Sequence, residues 1–336
     1  MVRNTFIIIL MGITLVACEE KNRFDNIDTS KIDVKIEVQR FDQDLFKINS
    51  DSIETELPAL RNDYGRFVDM FCEGIIRIGK STSPQYNQLL KYFLTDTMVR
   101  NAQRKVQSAY PDLDELNSTL TDAFKRYNYH FPTRTIPRVV SYVSGYNLSV
   151  AVDDSIAAVG LDRYLGSRTP QYDMLGIPKY MSNKMTREKL PSDIIRAWLY
   201  GEFAFNDSID NLLSNMIYEG ELIYITKHLL PSEPEYLIHG FTPKQMKWCK
   251  ANEEDMWTYL IENKMLFTTN TLDINKFVND APFTSGFPQE SPGRAAVWIG
   301  YRIIESLMER NPTMSLEELM SIKDYQQVLN MARYKP

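Results

Sequence analysis

The run from Ile136 to Leu165, IPRVVSYVSGYNLSVAVDDSIAAVGLDRYL, decides the fold class. Apolar residues recur with a period of two in Arg138 to Tyr142 (RVVSY), Ser149 to Val152 (SVAV) and Ser155 to Leu161 (SIAAVGL), the pattern of a strand whose side chains alternate between faces. Gly145-Tyr146-Asn147 and Asp153-Asp154 separate them, and the aspartate pair predicts a hairpin turn. Three short strands in sequence make a small sheet.

On both sides of this run the period changes to that of helices. Upstream, Ile32 to Arg40 (IDVKIEVQR) alternates and predicts one more strand, followed by helices over Ser52 to Leu60, Phe67 to Ile76, Pro84 to Tyr92, Asp96 to Ala109 and Leu113 to Tyr129. Downstream, helices are predicted over Pro191 to Phe203, Ser208 to Leu230, Pro243 to Asn263, Pro292 to Glu309 and Ser315 to Met320. The class is α+β, mostly helical with a small sheet set among the helices. No repeat, charge block or Pro/Gly/Ser linker divides the chain, so residues 32–336 are expected to form a single domain.

Composition narrows the function. The 336 residues are 43% hydrophobic and 24% charged, enough for a large buried core. Lys+Arg 38 against Asp+Glu 44 gives a net charge of −6, with no basic surplus for a phosphate backbone, so nucleic acid is not the expected partner. The three histidines, His130, His228 and His239, never stand at the i, i+4 spacing of a zinc-binding helix. His130 is placed at a helix end, where a partly charged imidazole suits the dipole, and His239 in a loop. Cys72 and Cys249 sit in helical patterns as buried free thiols. Trp198, Trp248, Trp257 and Trp298 all fall on helical patterns that favour core packing, although an aromatic groove for a glycan is a further reading.

The N-terminus carries Arg3, an apolar stretch from Phe6 to Ala17 too short to span a bilayer, and then Leu15-Val16-Ala17-Cys18. Small residues before a cysteine, in that order after an apolar core, match a bacterial lipobox. Residues 1–17 are therefore read as a lipoprotein signal peptide, Cys18 as the lipidated residue, and the polar stretch to Lys31 as a lipidated tether of residues 18–31. Acyl chains there would hold the protein at a membrane, each buried methylene contributing about 0.8 kcal/mol. The location is the cell envelope, on the periplasmic face or the outer-membrane surface.

Several later stretches resemble a known family. Asp153-Asp154-Ser155-Ile156 leading to Gly160-Leu161-Asp162-Arg163-Tyr164-Leu165-Gly166, then Ile217-Tyr218-Glu219-Gly220 with Tyr224, are similar to the GldB-type gliding-motility lipoproteins of Bacteroidota. So are Trp248-Cys249-Lys250-Ala251-Asn252-Glu253-Glu254 with Trp257, and Asn279 to Phe287 (NDAPFTSGF) with Ser291-Pro292-Gly293-Arg294. The family in turn resembles zincin metallopeptidases of the gluzincin kind, which implies a metallopeptidase-like core: a sheet, a first helix at Pro191 to Phe203 and a second at Ser208 to Leu230, with Glu219 at the place of a glutamate ligand. The first helix has no histidine, so no metal or other cofactor is expected and the site reads as degenerate.

The candidate residues follow from that comparison. Arg196 is the cation suited to neutralise Glu219 between the two helices, with Tyr200 one turn further on; a solvated Glu219 is the plain alternative. Gly220 in mid-helix implies close helix packing. Asp280, Thr284 and Arg294 mark a second surface, where Ser291 is read as an N-cap with Pro292 at N1. Tyr224 completes the vestigial or partner-binding set. No catalytic residue is assigned, and the reading is a lipid-anchored, non-catalytic envelope protein that binds a protein or peptide partner, linked to gliding or secretion machinery. A residual hydrolase or peptidase using Glu202 and Glu219, and a surface glycan-binding lipoprotein, are the alternatives.

Overall fold

The computed structural model describes residues 23–336; the expected signal peptide and Cys18 lie outside the described residues. The chain is mostly helical around a three-stranded sheet of β1 (Arg138–Tyr142), β2 (Val150–Asp153) and β3 (Ile156–Gly160), in the order β1-β3-β2. β2 and β3 pair antiparallel through the predicted turn, with Asp153 opposite Ile156, while β3 runs parallel to β1 with Val140 opposite Ala158. Every residue of the central strand β3 is buried, which explains its unbroken apolar sequence IAAVG. Helix Leu190–Glu202 lies against β2 and β3, and its Gly201 faces the Val152 side chain.

Helix Leu212–Leu229 runs through the centre of the molecule. Only Asn215, Glu219 and Lys227 along it are not buried, as expected of a helix apolar on all sides. Its principal neighbour is helix Ala295–Arg310, and at their crossing Gly220 and Gly300 let the two backbones touch. The helix order 190–202, 212–229, 295–310 therefore stacks three layers outward from the sheet.

Five expectations are corrected. Ile32 to Arg40 is extended but is not a strand: only Gln39 bridges to Val140, while the Ile36 and Val38 amides donate to Thr121 Oγ1 and Asn117 Oδ1 of helix Asp114–His130, both at 2.9 Å. The alternation is real because Ile36 and Val38 point into the core. Pro243 to Asn263 is two helices, Pro243–Ala251 and Glu253–Glu262, broken at Asn252, whose side chain donates to the Trp248 carbonyl at 2.7 Å. The last long helix starts at Ala295 and not at Pro292, for a reason given below. The tether is docked from residue 23 onward: Phe24 is buried beside Tyr224, His228 and His130, Asp25 accepts from His228 Nδ1 at 2.8 Å, and Arg126 holds the Phe24 and Asp25 carbonyls. In that setting burial, reinforced by repulsion from His228 and Arg126, pushes the His130 imidazole down to about 4, so it is neutral and not the partly charged helix end expected.

Candidate functional site

Glu219 projects from helix 212–229 toward helix 190–202, and its Oε2 accepts from Arg196 Nη2 and from Arg294 Nη2, each at 2.6 Å. Arg196, Glu219 and Arg294 are all largely shielded from solvent. Charged hydrogen bonds of this length are the strong kind, and one carboxylate meeting two guanidinium groups leaves the trio with a net positive charge. Arg294 Nη1 lies 4.0 Å from Asp280 Oδ1, which also accepts from Lys184 Nζ at 2.6 Å. A continuous line of alternating charge thus runs Arg196, Glu219, Arg294, Asp280, Lys184. Desolvation opposes ionisation of Asp280, but Lys184 and Arg294 outweigh it and hold the carboxyl below its ordinary range.

Arg294 is presented by a braced loop. Thr284 Oγ1 donates to the Pro292 carbonyl at 2.7 Å and accepts from the Ala295 amide at 2.8 Å, while the Thr284 amide donates to Ser291 Oγ at 3.2 Å. Gly293 lies against the Ala281 backbone, where a Cβ would stand 2.4 Å from the Ala281 oxygen. These contacts turn Arg294 into the left-handed region, φ 64, a conformation costing a non-glycine residue roughly 1–3 kcal/mol. The turn delays the helix to Ala295 and makes Ser291 a brace for the loop instead of an N-cap. Thr284 therefore acts on the site by placing Arg294.

Two of the expected residues stand elsewhere. Tyr200 is half-exposed; its ring lies under the Arg196 guanidinium, 5.6 Å from the centroid, and beside Tyr218 without bonding Glu219. Tyr224 packs against Phe24, His228 and Tyr301. Glu202 is held by Tyr127 and Arg134, each at 3.1 Å, a separate arrangement from that around Glu219. Trp198 and Trp298 are buried, and Trp248 and Trp257 are half-covered by Phe287 and Tyr334.

The structure adds residues that sequence reasoning missed. Lys189, buried under helix 190–202, bonds Asp193 at 2.9 Å and Ser192 at 2.8 Å, and the Tyr164 hydroxyl donates to the other Asp193 oxygen at 2.9 Å. His239 ends a short helix, Glu235–His239, capped by Gly240 in the left-handed conformation, and is 1% exposed among Phe241, Trp298 and Tyr301. Pro234 before Glu235 and Gly240 after His239 are the start and stop signals that could have found this helix. Arg163, Lys184 and Lys189 had no such signal, since a lone cation in sequence looks like solvated surface.

Arg163, Lys189, Arg196, His239, Asp280 and Arg294 surround a cavity of about 130 Å³. Its wall carries fixed charges and donors, and its two acids, Asp193 and Asp280, are paired with Lys189 and Lys184. Among the described residues no three His, Cys, Asp or Glu side chains are grouped to hold a metal ion, and no helix is long and apolar enough to cross a membrane. Cys72 and Cys249 are buried free thiols.

Searches of curated proteins and of solved structures found no match to the chain. The family model of the gliding motility protein GldB matches residues 22–336, nearly the whole chain, and the protein with this Arg196, Glu219 and Arg294 cluster belongs to that family of cell-envelope lipoproteins.

Proposed function

We propose that this chain is a lipid-anchored envelope component of the gliding apparatus or its associated secretion machinery, held to the membrane through Cys18, and that it works by binding a protein or peptide partner without turning it over. The observation that carries this reading is the setting of Glu219: one oxygen accepts from two guanidinium groups at 2.6 Å, which hold the side chain in place. A general base must be free to take a proton from its substrate, and a metal ligand must tolerate a dication beside it. Two arginines oppose both roles. The likeness to a degenerate metallopeptidase is part of the proposal, supported by the order of sheet, helix 190–202 and helix 212–229 and by Glu219 facing the first helix.

The test pairs an assay with a cross-link. The full chain, incubated with casein and with peptidoglycan fragments, with and without added divalent metals, is expected to release no product. A photo-reactive residue in place of Met181, at the cavity wall, is expected to capture one envelope protein in living cells. Hydrolysis that disappears in Glu219→Gln would establish the residual hydrolase in place of the binding protein.

A further inference from the structure

The small cavity has more positive charge than its carboxylates neutralise. Arg163, Lys184, Lys189, Arg196 and Arg294 reach its wall, against Asp193 and Asp280 there and Glu219 behind, a formal surplus of two positive charges. Lys189 is only 4% exposed, so this charge is held away from water, where its attraction for an anion is strong. An anion within the cavity would reduce that surplus.

Two donors point to the same conclusion. Neither ring nitrogen of His239 has a hydrogen-bond partner among the described residues, nor does Arg196 Nε, and all three atoms are buried. Burial, with Lys227, Arg294, Arg196 and Lys189 nearby, drives the His239 imidazole well below its ordinary range, so the ring is neutral and offers one N–H. An unfilled buried donor costs on the order of 1–3 kcal/mol, and two of them beside one cationic cavity are met together by an acceptor anion.

The shape selects among anions. A second cavity of about 200 Å³ shares Lys184, Lys189 and Gly240 with the first and continues between an apolar side of Leu237, Phe241 and Pro282 and a polar side of Asn183, Thr242 and Gln245. A carboxylate with an apolar side chain beside it fills both. Phosphate would leave the second cavity empty and its Leu237, Phe241 and Pro282 side uncovered.

We propose that this pair of cavities binds the C-terminal carboxylate of a peptide or protein partner, the carboxylate among Lys189, Arg196, His239 and Arg294 and the last side chain between Leu237, Phe241 and Pro282. The assignment rests on the partner-binding reading above and names the group that is bound.

Calorimetric titration of the full chain in detergent tests it with four probes. These are N-acetyl-alanyl-alanyl-phenylalanine as the free acid, its C-terminal amide, the amide of N-acetyl-alanyl-alanyl-glutamate with a free side-chain carboxylate, and inorganic phosphate. The free acid is expected to bind at least about tenfold more tightly than each of the others. His239→Phe keeps the ring packing but removes the N–H, and Lys184→Gln removes one wall cation at the rim. Each is expected to weaken the free acid about tenfold, Lys184→Gln with an unchanged melting temperature, so that the result does not depend on the buried variant folding. Equal binding of acid and amide, absence of binding up to about 10 mM, or tighter binding of the side-chain carboxylate or of phosphate overturns the assignment. If that happens while the Met181 cross-link to an envelope protein persists, the terminal-carboxylate assignment alone fails; Glu219-dependent hydrolysis would remove the binding reading as well.

Discussion

Gly220 and Gly300 lie backbone to backbone where helix 212–229 crosses helix 295–310: a Cβ on Gly300 would stand 1.8 Å from the Met216 carbonyl oxygen, and one on Gly220 2.3 Å from the Gly300 carbonyl carbon. The crossing is close enough that only hydrogen fits. Glu219 precedes Gly220 and Arg294 precedes the other helix, so the contact that packs the core also fixes the spacing of the charged cluster.

Gly300→Ala and Gly220→Ala are each expected to destabilise by about 3 kcal/mol or more, the upper range of overpacking, because backbone and not a flexible side chain must move. Gly74→Ala, where no atom lies within 4 Å of the added Cβ, serves as the control and should leave stability unchanged or slightly raised. Urea unfolding of the three variants checks the contrast.

Removing the charge of Glu219 leaves Arg196 and Arg294 facing each other with a neutral acceptor. Glu219→Gln should lower stability by roughly 1–3 kcal/mol, the scale of lost charged hydrogen bonds. An unchanged midpoint of unfolding would mean that the pair contributes no more than a solvated surface bridge.

Asp162 is fully buried, and burial raises its carboxyl to about 6 even though the Tyr146 and Ser144 amides donate to it at 2.6 and 3.1 Å. Its folded value lies above the unfolded one, so its contribution to stability is full below about pH 4 and is lost as the pH rises through about 6. Asp162→Asn keeps an acceptor for both amides. It should flatten the pH dependence of the melting temperature between those values and match or exceed the wild type at pH 7, by up to about 3 kcal/mol.

Phe24→Ala should free the docked N-terminal segment. New proteolytic cuts between residues 25 and 31 are expected while the remaining core melts cooperatively, with a loss of about 1–3 kcal/mol for the emptied aromatic site. Protection equal to the wild type would show that Arg126 and His228 hold the segment by themselves.

The strands of residues 138–160 were legible because period-two alternation and the Asp153-Asp154 turn are local signals, and the long helices because their apolar faces are. The failures share a cause. Ile32 to Arg40 alternates like a strand, yet Thr121 and Asn117, some 80 residues away, supply its amide acceptors. The start of the last helix looked set by Ser291-Pro292, and Thr284 overrode it from a loop. For the site, the facing of Arg196 and Glu219 could be inferred from two helices in order, whereas the surplus of cations around His239 exists only once five separate segments converge.

The docking of Phe24 and Asp25 also bears on mechanics. Arg23 stands five positions after Cys18, a covalent reach of at most roughly 18 Å, after which Arg126 grips two carbonyls and Arg23 itself donates to those of Asn311 and Met314. A lipid on Cys18, as proposed, would act as a short leash whose folded end is gripped by helix Asp114–His130 and by the turn after helix 295–310. Load applied to that body would then pass to the membrane over a covalent path of that length, with little slack to take up before the anchor feels the pull.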